Sequence, residues 1–473
     1  MMKNDGVGTR TERDSMGEMQ VPQHALYGAS THRAVLNFPI SGLRLPRRFI
    51  RALGLIKLAA AQTNAELGLV DKAAAEHIAA AARDVADGKL DDHFPLDVFQ
   101  TGSGTSTNMN ANEVIAHHAN RSGGEHKVKI HPNDHVNFGQ SSNDVIPTAV
   151  HISAAVAINE ALIPALETLK ASLERKSKEF WGIIKTGRTH LQDATPIRLG
   201  QEFSGYAGQI ERGIARARYA IDELSEVALG GTAVGTGINT HPEFARRATA
   251  RLAELTGLPI HETNNHFQAQ ASLDNAVAAS GMLKVIAVSL TKIANDIRWL
   301  ASGPRAGIGE LELPAVQPGS SIMPGKVNPV ISESVLMVCA QVIGNDATIT
   351  VGGQSGNFEI NLTMPLVGYD LLQTIELLAA ASRNLATQAV DGLKATSRGP
   401  EMVERGLAIG TALAPIIGYD AAAAIAKEAA STGKTVREIA REKTKLSDAE
   451  LDKILDPALM VEPSADRVGA GGG

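Results

Sequence analysis

The sequence predicts an all-α, mainly helical protein of three domains with a central bundle of five long helices. Three observations lead there. Aromatic residues make up only 4% of the chain, so alanine, leucine, isoleucine and valine must fill the core, a mixture that leans helical. Proline and glycine are unevenly spread, which leaves long stretches with nothing to break a helix. A length of 473 residues suits about three domains at roughly 150 residues each.

Taken in order, residues 1–140 read as an N-terminal domain of short helices and extended pieces. Arg47 to Gly68 is a helix candidate, and Lys127 to Ile130 alternates like a short strand. Residues 141–394 hold the bundle. Pro164 to Thr195 and Ile197 to His241 lack internal proline. Asn264 to Leu300 reads as one helix of about 55 Å, with Val285, Val288 and Leu290 to Ile293 at helical spacing. Val330 to Met364 and Leu366 to Gly399 complete the five. Such rods bury their faces along one another or along other subunits. Residues 395–473 form a small C-terminal domain with helices at Glu401 to Ala414, Asp420 to Ser431 and Thr435 to Lys443. Ser447-Asp-Ala-Glu450 reads as a capping box that starts one more, and Gly469 to Gly473 as a disordered tail.

The formal charge is −6, which argues against a nucleic-acid partner. The single cysteine, Cys339, excludes an intrachain disulfide and fits a reducing compartment. The N-terminus lacks the apolar stretch of a secretory signal, and no uninterrupted apolar run approaches the 18 or so residues of a membrane span. A soluble, cytoplasmic protein is expected, with no membrane partner. No G-x-G-x-x-G opens a helix, Gly325-Lys326 precedes Val327 rather than Ser or Thr, and no G-x-S-x-G is present, so no cofactor is expected. His131 and His135 have the spacing of a metal pair, but Pro132-Asn133-Asp134 between them is a turn sequence. No metal site is expected there.

Four segments place hydroxyl, amide and glycine residues together against helix starts: Thr101 to Asn110, His131 to Asn143, Thr186 to Pro196 and Gly319 to Pro329. Helix N-termini flanked by hydroxyls bind anions, so four of them in an acidic protein point to a small anion with several oxygens, such as a dicarboxylate. The fourth segment brings two serines, Lys326 and Asn328 within nine residues of one Gly- and Pro-marked mobile loop. A point positive charge and amide donors suit a carboxylate that gains negative charge during reaction.

Gly319-Ser-Ser-Ile-Met-Pro-Gly-Lys-Val-Asn-Pro329 resembles the signature G-S-x-x-M-P-x-K-x-N-P of the fumarase/aspartase superfamily at every fixed position. The likeness runs from Arg13-Asp-Ser-Met-Gly17 to the C-terminal helices. Gly187-Arg-Thr-His-Leu-Gln-Asp-Ala-Thr-Pro196 and Gly230 to Phe244 are similar to the class II fumarases within it. Aspartate ammonia-lyases, the alternative reading, usually carry glutamine at the position of His190. The resemblance implies a homotetramer whose central bundles join into a twenty-helix core. It implies reversible conversion of L-malate to fumarate and water, as in the tricarboxylic acid cycle. A non-catalytic relative and a plain anion-binding module are the readings from other classes.

The resemblance also implies roles. Ser320 would be the base, although a serine that only binds substrate is the competing reading. His190 would be the acid, oriented and charged by Glu333. Lys326 and Asn328, with Thr189 and the backbone near Ser141, would stabilise an aci-carboxylate. Ser103, Gly104, Thr105, Ser142, Asn143, Ser321 and Val327 would complete the substrate site. His131, Pro132, Asn133 and Asp134 resemble a second dicarboxylate site, against the plainer reading of a loop that caps a helix.

Overall fold

The computed structural model describes residues 8–122 and 129–465. Among them lie 17 α-helices, and every sheet is a two-stranded ribbon. The chain divides into two compact units: Met1–Pro164, Gly213–Val288 and Val338–Ala380 form one, and Ala165–Arg212, Ser289–Met337 and Ala381–Gly473 the other. This partition differs from one at residues 140 and 394, because its boundaries fall inside long helices instead of at loops.

The first unit holds the helices Arg47–Glu66, Lys72–Ala86, Thr105–Ser122 and Phe244–Thr256. Arg47–Glu66 matches the expected helix, and 14 of its 20 residues are buried, among them Phe49, Leu53 and Ile56. Gly54 allows close approach to Lys72–Ala86: a Cβ there would sit 2.6 Å from the Ala86 nitrogen. Near the start of the chain, Thr9–Asp14 pairs antiparallel with Gly17–Pro22. Buried Glu113 then accepts the backbone N–H groups of Gly28, Ser30 and Thr31. It thereby serves the N–H donors left without intrahelical partners at the start of the helix Ala29–Asn37. Of the strand expected at Lys127 to Ile130, residues 127 and 128 lie outside the described residues, and Lys129 and Ile130 are not in a strand.

The bundle helices are observed with corrections to their bounds. Ser142–Glu179 is one helical run of 38 residues, with a π-helical turn at Ile158–Leu162 just before Pro164, which has no N–H to donate. The expected helix from Pro164 to Thr195 therefore ends at Glu179. Beyond it, Ile184–Thr189 and Gln192–Arg198 form an antiparallel hairpin. Freedom from proline was too weak a criterion there: Trp181-Gly182 breaks the helix, and β-branched residues at 184, 186, 195 and 197 suit strands. Asn264 to Leu300 is two helices, His266–Ala271 and Asp274–Leu300, because Ser272 turns extended and its hydroxyl accepts the Asp274 N–H at 3.3 Å. Leu199–Ser225, Val330–Gly353 and Met364–Gln388 complete the set, ending well short of the expected His241, Met364 and Gly399.

By length and composition, Ser142–Glu179, Asp274–Leu300 and Val330–Gly353 would each suffice to cross a membrane. This corrects the count of uninterrupted runs: isolated charges such as Asp144 and Lys284 break a run without making the helix polar on average. In Ser142–Glu179, 78% of the most apolar window is buried inside the chain. In the other two the share falls to 44% and 39%.

In the second unit the C-terminal helices surround a separate apolar core that includes Leu413, Ile425, Ile439 and Leu455. Ser447 and Thr435 both close capping boxes, with Glu450 and Glu438. The helix expected from Glu401 to Ala414 is instead Arg398–Val403 followed by the 3₁₀ turn Leu407–Leu413, with Gly406 extended between them. The glycine tail, 469–473, lies outside the described residues.

Candidate active site

On the first unit, two helix starts meet through hydroxyls. Thr105 opens Thr105–Ser122, and its Oγ1 lies 2.9 Å from Ser103 Oγ and 2.8 Å from Ser142 Oγ at the start of the second helix. Gly104 is left-handed, and a Cβ there would press to 2.8 Å from Ile146. Gln100 Oε1 accepts the Thr107 N–H at 3.1 Å, which satisfies one donor of the first helix end. Ser141 caps the second helix: its Oγ accepts the Asn143 N–H at 3.2 Å, while Asp144 accepts the Ser141 N–H at 2.9 Å. Asn143 Nδ2 donates to Ala233 O at 2.8 Å, which fixes its amide. The structure thus gathers Ser103, Gly104, Thr105, Ser141, Ser142 and Asn143 into one hydroxyl-rich corner. The positive ends of two helices point into that corner.

Beneath it lies a residue the sequence reading passed over. Asp144 is fully buried and also accepts the N–H groups of Gly230 and Thr232, at 2.9 and 3.0 Å. Burial pushes its carboxyl up to about 6, against the pull of those donors and of Lys57. The segment from Gly230 onward is therefore folded back on the second helix start.

His131 to Asp134 forms a π-helical turn, Pro132–Val136. The His131 ring Nδ1 accepts the N–H groups of Asn133 and Asp134 at 3.3 and 3.2 Å, and the His135 ring accepts the His131 N–H at 2.8 Å. Both imidazoles are engaged in local capping, and among the described residues no cluster of three metal-ligating side chains exists.

On the second unit, the hairpin Ile184–Arg198 turns at His190-Leu191, with Thr189 paired to Gln192. Both turn residues have positive φ, 57° and 61°. Two-residue turns of this kind favour Asn and Gly, so histidine and leucine here hold local strain, which is typical of functional sites. The His190 side chain is exposed at the tip. The hairpin is anchored behind it. Arg188 donates to Glu310 Oε1 at 2.6 Å, and Lys185 lies 3.1 Å from Glu310 Oε2 and 2.8 Å from Glu202. Lys185 and Glu310 are only 1% and 2% exposed. Removing one partner of a buried pair costs roughly 3–5 kcal/mol. Glu310→Ala is therefore expected to lower the urea midpoint of unfolding markedly. An unchanged midpoint would show that the network does not hold the hairpin.

The Gly319–Pro329 loop closes on itself. Gly319 N–H donates to Lys326 O at 3.0 Å, and Asn328 Nδ2 donates to Gly319 O at 2.6 Å. A Cβ on Gly319 would lie 2.1 Å from Lys326 O, so only glycine fits. Ser320 Oγ accepts two backbone N–H groups, from Ile322 at 3.2 Å and Met323 at 3.0 Å. Those donors favour negative charge on that oxygen. One Asn328 donor is spent inside the loop, a use that the reading of its amide as a substrate group did not include. Ser321, Lys326 and Val327 are exposed, and Lys326 has no ion-pair partner among the described residues. Glu333, in the first turn of Val330–Gly353, is exposed as well. Within the chain it makes no hydrogen bond or ion pair with His190. Thr189, beside His190, is also exposed.

The family described as Lyase matches residues 17–344, and Fumarase C C-terminus matches 409–462. A class II fumarate hydratase of Halobacterium salinarum is 56% identical over 451 residues, covering 95% of this chain and 96% of the relative. One from Xylella fastidiosa is 52% identical over 465 residues, 98% of each chain. Among solved structures, a class II fumarase from Schistosoma mansoni superposes with a TM-score of 0.93 at 38% identity, covering 96% of this chain and 99% of that one. A protein from Brucella melitensis described as a fumarate lyase:delta crystallin gives 0.92 at 46% identity, covering 96% and 100%. With loop, hairpin and helix starts intact within full-length matches of this strength, the chain belongs to the class II fumarase family of the fumarase/aspartase superfamily.

Proposed function

We propose that this protein is a lyase that reversibly hydrates fumarate to L-malate. The observation that carries the reading is the alignment of 98% of the chain with a relative named class II fumarate hydratase. In the dehydrating direction, Ser320 takes the proton from the carbon next to one carboxylate, and the electron pair passes into that carboxylate. Lys326, the second amide hydrogen of Asn328 and Thr189 stabilise the aci-carboxylate. The hydroxyl-rich corner of Ser103, Thr105, Ser141, Ser142 and Asn143 binds dicarboxylate oxygens. His190, charged and oriented by Glu333, protonates the departing hydroxyl.

A homotetramer belongs to the proposal. Val288, Met337 and Val351 on the long helices are more than half exposed in the single chain, and apolar faces of that kind seek a partner. Glu333 would then meet a His190 supplied by another copy. Mixing Ser320→Ala with His190→Asn should restore part of the activity after subunit exchange. No recovery in verified mixed tetramers would overturn the shared site. The exposed residues His131, Asn133 and Asp134, with Pro132, would take a second dicarboxylate; the Nε2 of His131, without a hydrogen-bond partner among the described residues, supports this reading. A cytoplasmic location is part of the same reading, supported by the single buried cysteine, Cys339.

The function is tested by following fumarate absorbance with malate and, separately, with aspartate. Turnover of malate with little or none of aspartate is expected. Comparable rates would favour an ammonia-lyase.

A further inference from the structure

Lys57 interrupts the apolar run Leu55-Ile-Lys-Leu-Ala59 and is fully buried. A buried ammonium is costly unless something repays it. Its Nζ donates to Asn137 Oδ1 and Gln140 Oε1, both at 2.9 Å. Those acceptors belong to the four residues that join the Pro132–Val136 turn to the Ser141 cap. Asn137 also accepts from Asn108 at 3.2 Å, and Asn108 lies on the helix that Thr105 opens. Two turns later on Lys57's own helix, Asn64 donates to Phe138 O at 3.0 Å. Lys57 therefore sits behind the place where the two hydroxyl-bearing helix starts are held together. No step of the proposed chemistry uses it.

We propose that Lys57 is a positioning residue for dicarboxylate binding: through Asn137 and Gln140 it sets the two helix starts, and its charge adds to the positive field of that corner. The inference rests on the reading of this corner as the substrate site. Burial draws the Lys57 ammonium down to about 7. Among the described residues Asp144, on the second helix, is the one charged group that acts on it. The packed helices Lys72–Ala86, Thr105–Ser122 and Phe244–Thr256 and the turn Pro132–Val136 bring none. The sign follows. Below about 7 the lysine is charged and dianion binding is strong. As pH rises through that value the charge is lost and binding weakens.

The test uses the full-length protein and two readouts, the KM for fumarate and the calorimetric Kd for succinate, which binds without reacting. Lys57→Met should raise both at least tenfold at pH 6.5 while kcat stays within about threefold, a ground-state binding effect. Lys57→Gln keeps a donor without the charge and should recover part of the loss. In both variants the weakening of succinate binding above pH 7 should vanish. Asn137→Ala cuts the same link from the other side and should raise KM in the same direction, which covers a Lys57→Met chain that does not fold. Folded Lys57 and Asn137 variants with parental Kd and pH dependence would overturn the proposal. Succinate binding that depends on Lys57 in a protein with no fumarate turnover would sustain it and overturn the hydratase reading instead.

Discussion

Ser320→Ala is expected to lower kcat by roughly two to four powers of ten, the usual weight of a positioned base, while the substrate still binds. A free serine hydroxyl is a poor base. Here its oxygen accepts two backbone N–H groups, from Ile322 and Met323, and the loop that supplies them is closed by Gly319 and Asn328. Preorganised donors of this kind lower the cost of an alkoxide, because no solvent has to reorganise around the new charge. Alanine keeps the loop and removes only the oxygen. If Ser320 merely binds, KM should rise with kcat nearly kept, so the ratio of the two effects decides between the roles. Lys326→Met should damage both terms, since its exposed ammonium neutralises substrate and intermediate alike. A kcat for Ser320→Ala within threefold of the parent would remove the base.

His190→Gln should reduce malate dehydration by about two to four powers of ten and flatten the limb of the pH–rate profile that reports the acid. Hydroxide is a poor leaving group and needs a proton, whereas ammonia departs from an ammonium that already carries one. The acid is therefore worth more in a hydratase than in an ammonia-lyase. The ring stands at the tip of a turn whose two residues are both left-handed, on a hairpin held by Arg188 and Glu310. That strain is bearable because the buried ion network behind the turn overdetermines it. Glu333→Gln should weaken the same limb less, because it only orients and charges the imidazole. A profile unchanged in His190→Gln would defeat the acid role.

Much of this was legible in the sequence, and the physical reason is range. Capping at Ser447 depends on groups within one turn, so residue order alone determines it. The Gly319 to Pro329 loop is equally local: its closing bonds span at most nine residues. The helical class followed from composition, and the family from two long motifs. Where local signals conflicted, the reading failed. Freedom from proline predicts helix through Thr195, but from Ile184 onward strand-forming residues and a tight turn prevail. Ser272 was passed over as an ordinary helical residue.

Tertiary structure alone decided the rest. Lys57 meets Asn137 across 80 residues, and Asp144 meets Gly230 across 86. No periodicity links positions so far apart. Whether a lysine in an apolar run is solvated or buried against two amides depends on which segments pack over it. The sequence determined which groups this protein can offer to a dicarboxylate. The packing of distant segments decided which are held rigid, which carry strain and which charge lies beneath them, because burial and long-range hydrogen bonds exist only once the chain has folded.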